Sequence, residues 1–292
     1  MKKLLILSGK GGTGKTTTAA ALIDFSKAEA FADCDVDAPN LHLVAGIKSE
    51  PKRTNYYGSE KAVIDPEKCK SCGICYKNCR FDAIVRDGEK FSVNPYACEG
   101  CGVCMYTCPA GAVTMEEDIA GDLMLYEEEC VFSTAKLKMG RGTSGKLVTE
   151  VKNQLENAPD TARFAIIDGS PGIGCPVIAS ISGVDLVLIV AEPSLSGISD
   201  MKRILKTAEI FQTKTVVCVN KYDTCIENTE EIEKLCSEEG IPFVGRIPYD
   251  KQASAAINEG HSLAEVNCPA RDALYQVYET IKESFLDGEL EK

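Results

Sequence analysis

The chain has 292 residues, and its 32 Lys and Arg against 44 Asp and Glu leave a formal net charge of −12. At roughly 100–200 residues per domain this length admits one large domain or two modest ones. With 44% hydrophobic and 26% charged residues the composition is globular, neither disordered nor fibrous. The acidic balance argues against nucleic acid or an anionic membrane as the main partner, because both select basic footprints. Apolar runs such as Leu4 to Leu7 and Leu186 to Ala191 fall well short of the ~20 residues that cross a bilayer, so no stable membrane insertion is expected.

In chain order, Met1-Lys2-Lys3 and the short apolar run after it read as a first strand, Lys3 to Leu7, because the run enters a glycine loop too soon for a secretory signal. A cytoplasmic protein is therefore expected. An alanine-rich helix, Ala19 to about Ala28, follows the loop, and a short strand then leads into Asp33-Cys34-Asp35-Val36-Asp37-Ala38-Pro39-Asn40, whose composition suits a loop at a strand's carboxyl end. Beyond a cysteine-rich module at 60–117, apolar strands are expected near Phe164 to Ile167, Asp185 to Ala191, Thr215 to Val219 and Phe243 to Ile247. Helices are expected near 145–157, 197–212 and 227–239. Continuous apolar strands alternating with helices predict an α/β fold with a mostly parallel sheet, built from 1–59 and 118–292, with the module inserted as a small α+β domain. A last helix, Pro269 to about Phe285, carries Glu279 and Glu283 and ends in the acidic stretch Asp287 to Glu291, which is unlike a basic membrane-surface helix.

Gly9 to Thr16 fits GxxxxGK followed by Ser or Thr, the loop whose backbone N–H groups wrap phosphates at a helix N-terminus. Gly9, Gly11, Gly12, Thr13, Gly14, Lys15, Thr16 and Thr17 are the candidate phosphate contacts, with Lys15 neutralising phosphate oxygens and Thr16 ligating Mg²⁺. The extra lysine, Lys10, makes this segment, KGGTGKTT, resemble the deviant phosphate loop of the MinD/ParA/Mrp/nitrogenase iron protein class of P-loop ATPases. The resemblance implies ATP-dependent homodimerisation in which Lys10 reaches the partner's nucleotide. It also implies that Asp35 orients or deprotonates the attacking water and that Asp33 supports the Mg²⁺ shell. Ile166-Ile167-Asp168-Gly169-Ser170-Pro171-Gly172 is similar to the second acidic segment of the class, so Asp168 would hold Mg²⁺ and the Gly172 N–H would sense the γ-phosphate. Asn220-Lys221-Tyr222-Asp223 and Ile247-Pro248-Tyr249-Asp250 resemble its base-bordering segments, with Asn220 at the adenine edge and Lys221 and Pro248 beside it. Tetrapeptides like the first also occur in GTPases, and only the resemblance favours ATP.

Eight of the fifteen cysteines lie between Cys69 and Cys108. Cys69, Cys72, Cys75 and Cys79 form CxxCxxCxxxC, and Cys98, Cys101, Cys104 and Cys108 repeat it. This is the bacterial two-cluster ferredoxin spacing, in which the fourth Cys of each run serves the other cluster. One [4Fe–4S] cluster is thus expected on Cys69, Cys72, Cys75 and Cys108, and another on Cys98, Cys101, Cys104 and Cys79. Zinc is the metal alternative, although its sites usually pair two CxxC units. Arg80 stands where the usual pattern has Pro. Phe81-Asp82-Ala83-Ile84 and Ala110-Gly111-Ala112-Val113 follow the two fourth cysteines in equivalent places, marking an internal repeat.

The combination resembles a MinD-superfamily ATPase containing an inserted ferredoxin domain. It implies ATP, Mg²⁺ and two clusters, and a function coupling nucleotide-driven dimer switching to electron transfer or cluster delivery toward an unidentified redox or iron–sulfur acceptor protein. A MinD/ParA-like positioning switch with a redox-sensing module is the alternative. Cys175 follows Asp168 at a spacing similar to that of a cluster-ligating cysteine in the nitrogenase iron protein. An interfacial cluster on Cys175 and Cys130 and plain packing of Cys175 both remain open readings.

Overall fold

The computed structural model describes residues 1–128 and 130–287, the last three of these by backbone alone. Most of the acidic stretch at 287–291 therefore lies outside the described residues. The strands are β1 (Lys2–Leu7), β2 (Ala30–Asp33), β3 (Lys52–Tyr57), β4 (Lys61–Ile64), β5 (Ile84–Asp87), β6 (Lys90–Val93), β7 (Val113–Glu116), β8 (Ile119–Glu127), β9 (Val131–Leu137), β10 (Phe164–Asp168), β11 (Leu186–Ala191), β12 (Lys214–Asn220) and β13 (Phe243–Ile247). The helices are α1 (Lys15–Ser26), α2 (Leu41–Val44), α3 (Ile74–Asn78), α4 (Val103–Thr107), α5 (Ser144–Asn153), α6 (Cys175–Ile181), α7 (Leu195–Ile210), α8 (Ile226–Glu238), α9 (Lys251–Asn258) and α10 (Pro269–Ile281). Among the described residues no helix is long and apolar enough to cross a membrane.

The chain forms two compact units, one of 1–53, 123–136 and 144 onward, the other of 54–122 and 137–143. The smaller unit thus takes in 54–59, 118–122 and Leu137–Thr143, stretches that the sequence reading leaves with the larger one. Sheet order runs β13-β12-β11-β1-β10-β2-β9-β8-β3. β1 pairs in parallel with β10 and β11, β2 with β10 and β9, and β12 with β11 and β13. Leu5, Ile6, Leu7, Val187, Leu188, Ile189 and Val190 are fully buried, which is why their strands are continuously apolar: both faces are covered. Small side chains at Ala19, Ala20 and Ala21 are buried where α1 packs against the sheet, and Phe31 stacks on Phe132 at 4.9 Å.

The chain leaves β1 toward β2 on one side and leaves β10 toward β11 on the other, so the loops after β1 and β10 part at a topological switch point, where α/β sheets bind ligands, with the β2 loop beside them. Register completes the placement. Ile6 pairs with Asp168, and Asp168 with Asp33, which sets both carboxylates beside the loop that begins at Ser8.

The smaller unit pairs β4 with β7 and β5 with β6, both antiparallel. Pairing of Lys61 through Ile64 with Glu116 through Val113 brings the two ends of the cysteine segment together. Helices α3 and α4 each follow a left-handed glycine, Gly73 (φ 71°) and Gly102 (φ 74°), so the sequence repeat is also a backbone repeat. Its small core is Ala62, Ala83, Cys98 and Val113.

Candidate nucleotide site and cysteine cavities

The loop from Ser8 to Thr16 wraps the N-terminus of α1, with Gly14 at φ 94°. Only glycine fits there. A Cβ would be disfavoured by the left-handed backbone and would lie 2.3 Å from the Asn220 amide nitrogen. Gly9 is as constrained, since a Cβ on it would sit 2.0 Å from Asp200 Cβ. Thr13 Oγ1 is buried without a hydrogen-bond partner among the described residues, a donor left over for a ligand of this loop.

Lys15, 6% exposed, donates from Nζ to Asp168 Oδ1 at 2.5 Å, and Thr16 Oγ1 donates to Asp168 Oδ2 at 2.7 Å. A hydroxyl beside a fully buried carboxylate is the oxygen donor set that suits Mg²⁺. Asp33 is fully buried, and its carboxylate accepts the backbone N–H groups of Asp35, Asn40 and Leu41, each at 2.9 Å. Both of its oxygens therefore shape the Asp35 to Leu41 loop. Burial, with Asp168 beside it, pushes the Asp33 carboxyl up to about 7. Asp35 is half-buried, and desolvation raises its pKa against the opposing pull of Lys15. Cys34, enclosed between them, has its thiol pushed up to about 12 by burial.

Gly172 donates its N–H to Ser8 O at 3.2 Å, and the Ser170 hydroxyl donates to Cys34 O at 2.5 Å, tying the β10 loop to the β1 and β2 loops. Lys10 points elsewhere. Its ammonium pairs with Glu192 at 2.6 Å and donates to Ser194 Oγ at 3.2 Å.

On the other flank, Asn220 Nδ2 donates to Thr13 O at 2.7 Å, and Lys221 Nζ donates to Gly12 O at 3.0 Å. Asp223 Oδ1 accepts the Tyr249 N–H at 2.7 Å, joining the two base-bordering segments. Gly12, Gly14, Thr17, Asn220, Lys221 and Pro248 line one cleft with α9. The structure therefore gathers Lys15, Thr16, Asp33, Asp35 and Asp168 at one end of the loop and Asn220, Lys221 and Pro248 at the other. A larger cleft, bordered by Lys206, Glu209 and Glu239, lies toward the N-terminal ends of β12 and β13 and holds none of these groups.

Ser170 and Asp223 lie in segments the sequence marks, though without these contacts, whereas Glu192 and Lys152 are missed by sequence reasoning altogether. The last, on α5, donates to Ala179 O at 2.9 Å, to Ser180 O at 2.8 Å and to Ser182 O, closing the carboxyl end of α6. No local pattern marks it. Cys175, exposed, is the first residue of α6.

In the smaller unit the eight thiols surround two cavities. Cys69, Cys72, Cys75 and Cys108 line one, and Cys79, Cys98, Cys101 and Cys104 line the other. Among the described residues no three Cys, His, Asp or Glu side chains are gathered as for a single metal ion. Burial raises the Cys108 thiol pKa, but N–H donors, Ala112 at 3.3 Å from Sγ first among them, outweigh it and leave a net lowering toward thiolate.

Comparison with known proteins agrees with the larger unit. Residues 4–263 match the CobQ/CobB/MinD/ParA nucleotide binding domain. An uncharacterized protein of Methanocaldococcus jannaschii is 32% identical over 288 residues, 96% of either chain. An iron-sulfur cluster carrier protein of Pyrococcus abyssi is 26% identical over 300 residues, covering 96% of this chain and 85% of its own. The fold is similar to that of the septum site-determining protein MinD of Pyrococcus horikoshii, solved with Mg-ADP, at a TM-score of 0.58 and 17% identity, covering 97% of this chain and 96% of that one. With the phosphate loop, the paired Asp33 and Asp168 and this family match in hand, the chain belongs to the CobQ/CobB/MinD/ParA nucleotide-binding family and is a P-loop ATPase of the MinD/ParA type.

Proposed function

We propose that this ATPase binds two [4Fe–4S] clusters and couples its nucleotide cycle to electron transfer or to cluster delivery. One observation carries the reading: the two cavities divide the eight thiols three and one, each drawing its fourth cysteine from the other run. That crossed division is what the two-cluster spacing requires. The triplet of cysteines with a distant fourth at each cavity favours a cluster over zinc, whose sites usually pair two CxxC units. Bound there, the clusters supply one-electron redox chemistry.

On the nucleotide side, phosphoryl transfer is mostly positioning and charge stabilisation. The loop's N–H groups and Lys15 hold the phosphates. Thr16 and Asp168 hold Mg²⁺, with Asp33 behind them shaping the loop that presents Asp35 to the attacking water. Lys10 leaves Glu192 to complete the partner's site in an ATP-dependent homodimer, and a redox or iron–sulfur protein accepts the output.

The test is an anaerobic EPR titration of the reconstituted chain with MgATP and with MgADP. A midpoint shift beyond about 59 mV, tenfold for a one-electron couple, is expected. Clusters that load but keep the same potential in both states would refute energetic coupling to electron transfer, and a chain that binds no iron would refute the clusters themselves.

A further inference from the structure

The two cysteine runs repeat in sequence and backbone, but not in charge. Cys69 to Arg80 aligns with Cys98 to Pro109, cysteine on cysteine and glycine on glycine, with α3 over α4. In that alignment Lys70 stands against Glu99, Lys77 against Tyr106 and Arg80 against Pro109. The first run holds three cations and no carboxylate, while the second holds one carboxylate and no cation. No Lys or Arg occurs from 91 to 135.

The difference falls at the cavities. Lys70 lines the one with Cys69, Cys72, Cys75 and Cys108, and Glu99 lines the one with Cys79, Cys98, Cys101 and Cys104. Lys70, Lys77 and Arg80 are exposed, as is Cys72, and none of the three cations is in an ion pair among the described residues. Of the flanking carboxylates, Asp65 is paired with Lys68 at 3.1 Å, leaving Glu67 and Asp82. Three cations, Lys70, Lys77 and Arg80, thus stand against two carboxylates along this stretch of a chain whose overall charge is −12.

Unpaired surface cations add little to stability, yet they steer a partner of opposite charge and orient it on contact. Cys72 is the one exposed cysteine of the four at its cavity, so a protein exchanging electrons with that cavity approaches over it. We propose that the face formed by Cys69 to Arg80 is the docking surface for an acidic one-electron carrier protein. The proposal rests on the cluster reading above and adds the partner's chemical class. One electron passes per encounter, so the carrier and this chain change oxidation state by one in opposite senses.

The experiment uses the full chain, reconstituted anaerobically, with a flavodoxin as acidic probe and a basic c-type cytochrome as its opposite. Binding is read directly, by titration and by carbodiimide cross-linking, and cluster content is read separately from iron and EPR. Flavodoxin affinity is expected to fall at least about tenfold between low and about 0.5 M salt, and by a similar factor in K70E/K77E/R80E. Tyr106→Ser should leave it unchanged, cross-links should fall on Lys70 and Lys77, and the cytochrome should bind the charge-reversed variant better. If charge reversal prevents cluster loading, the neutral variant K70Q/K77Q/R80Q takes its place. Flavodoxin affinity indifferent to salt and to these charges, in a chain that carries its clusters, would overturn the docking surface and leave the clusters standing. An iron-free chain that still bound flavodoxin through Lys70 and Lys77 would keep the surface and remove the clusters.

Discussion

Lys152 offers the sharpest check on the energetics of the segment that follows β10. It is 7% exposed, and its ammonium holds the carbonyls of Ala179, Ser180 and Ser182 at the end of α6, the helix that begins three residues after Gly172. A cation at a helix carboxyl end is favourable, but burial outweighs that and brings the lysine from 10.5 down to about 8. Between these values the unfolded chain holds the proton and the folded chain releases it, so stability rises with pH across the window. The gap from about 8 to 10.5 corresponds to about 3 kcal/mol at about 1.4 kcal/mol per unit. Lys152→Met removes the buried charge and strands the three carbonyls, two effects of similar size and opposite sign near pH 7. The variant is therefore expected to match the wild type within about 1–2 kcal/mol at pH 7 and to fall behind by about 3 kcal/mol more by pH 10.5. Urea unfolding of both proteins at pH 7 to 10.5 measures this, and groups common to the two cancel in the difference. A difference that stays constant over the range would refute a buried, proton-releasing Lys152.

Lys15→Ala removes the phosphate cation and should lower ATP turnover at least about 100-fold, whereas Asp35→Ala should keep ATP binding and lose turnover, which a fluorescent-nucleotide titration beside a phosphate-release assay separates. Asn220→Ala strands the Thr13 carbonyl and should raise the KM for ATP about two- to tenfold, the equivalent of one hydrogen bond; an unchanged KM would show that the loop holds its shape without it. Cys108→Ser should abolish the cluster of the other run, held by Cys69, Cys72 and Cys75, and spare its own run's cluster. Iron content halved, with one EPR signal kept, is the expected result, and loss of the signal that Cys98→Ser also abolishes would reverse the assignment.

Much of this molecule is local. The strands at 3–7, 164–167, 185–191, 215–219 and 243–247 are legible because buried parallel strands are continuously apolar, and all five form. Helices α6 and α9 are not visible in the same way. α6 has seven residues, and α9 depends on Asp250 capping the N–H groups of Gln252 and Ala253, a signal hidden inside a base-bordering segment. Lys10 is conspicuous by its place between glycines, but Glu192 as its partner has no signature, because the pair is brought together by the adjacency of β1 and β11.

What the sequence determines by itself is chemistry written at short range: a glycine loop with two lysines, carboxylates at strand ends, and two cysteine runs whose spacing fits clusters. These depend on a few consecutive residues, so spacing suffices to read them. Tertiary structure alone decides which groups meet. Lys15 reaches Asp168 across 153 positions of chain because parallel register sets Asp168 beside Ile6. Lys152 closes α6 because α5 packs on it, and Lys70 and Glu99 come to border different cavities because the repeat folds twice. Pairings of this kind follow from strand order, register and packing, which involve residues far apart in the chain, and no local pattern carries them.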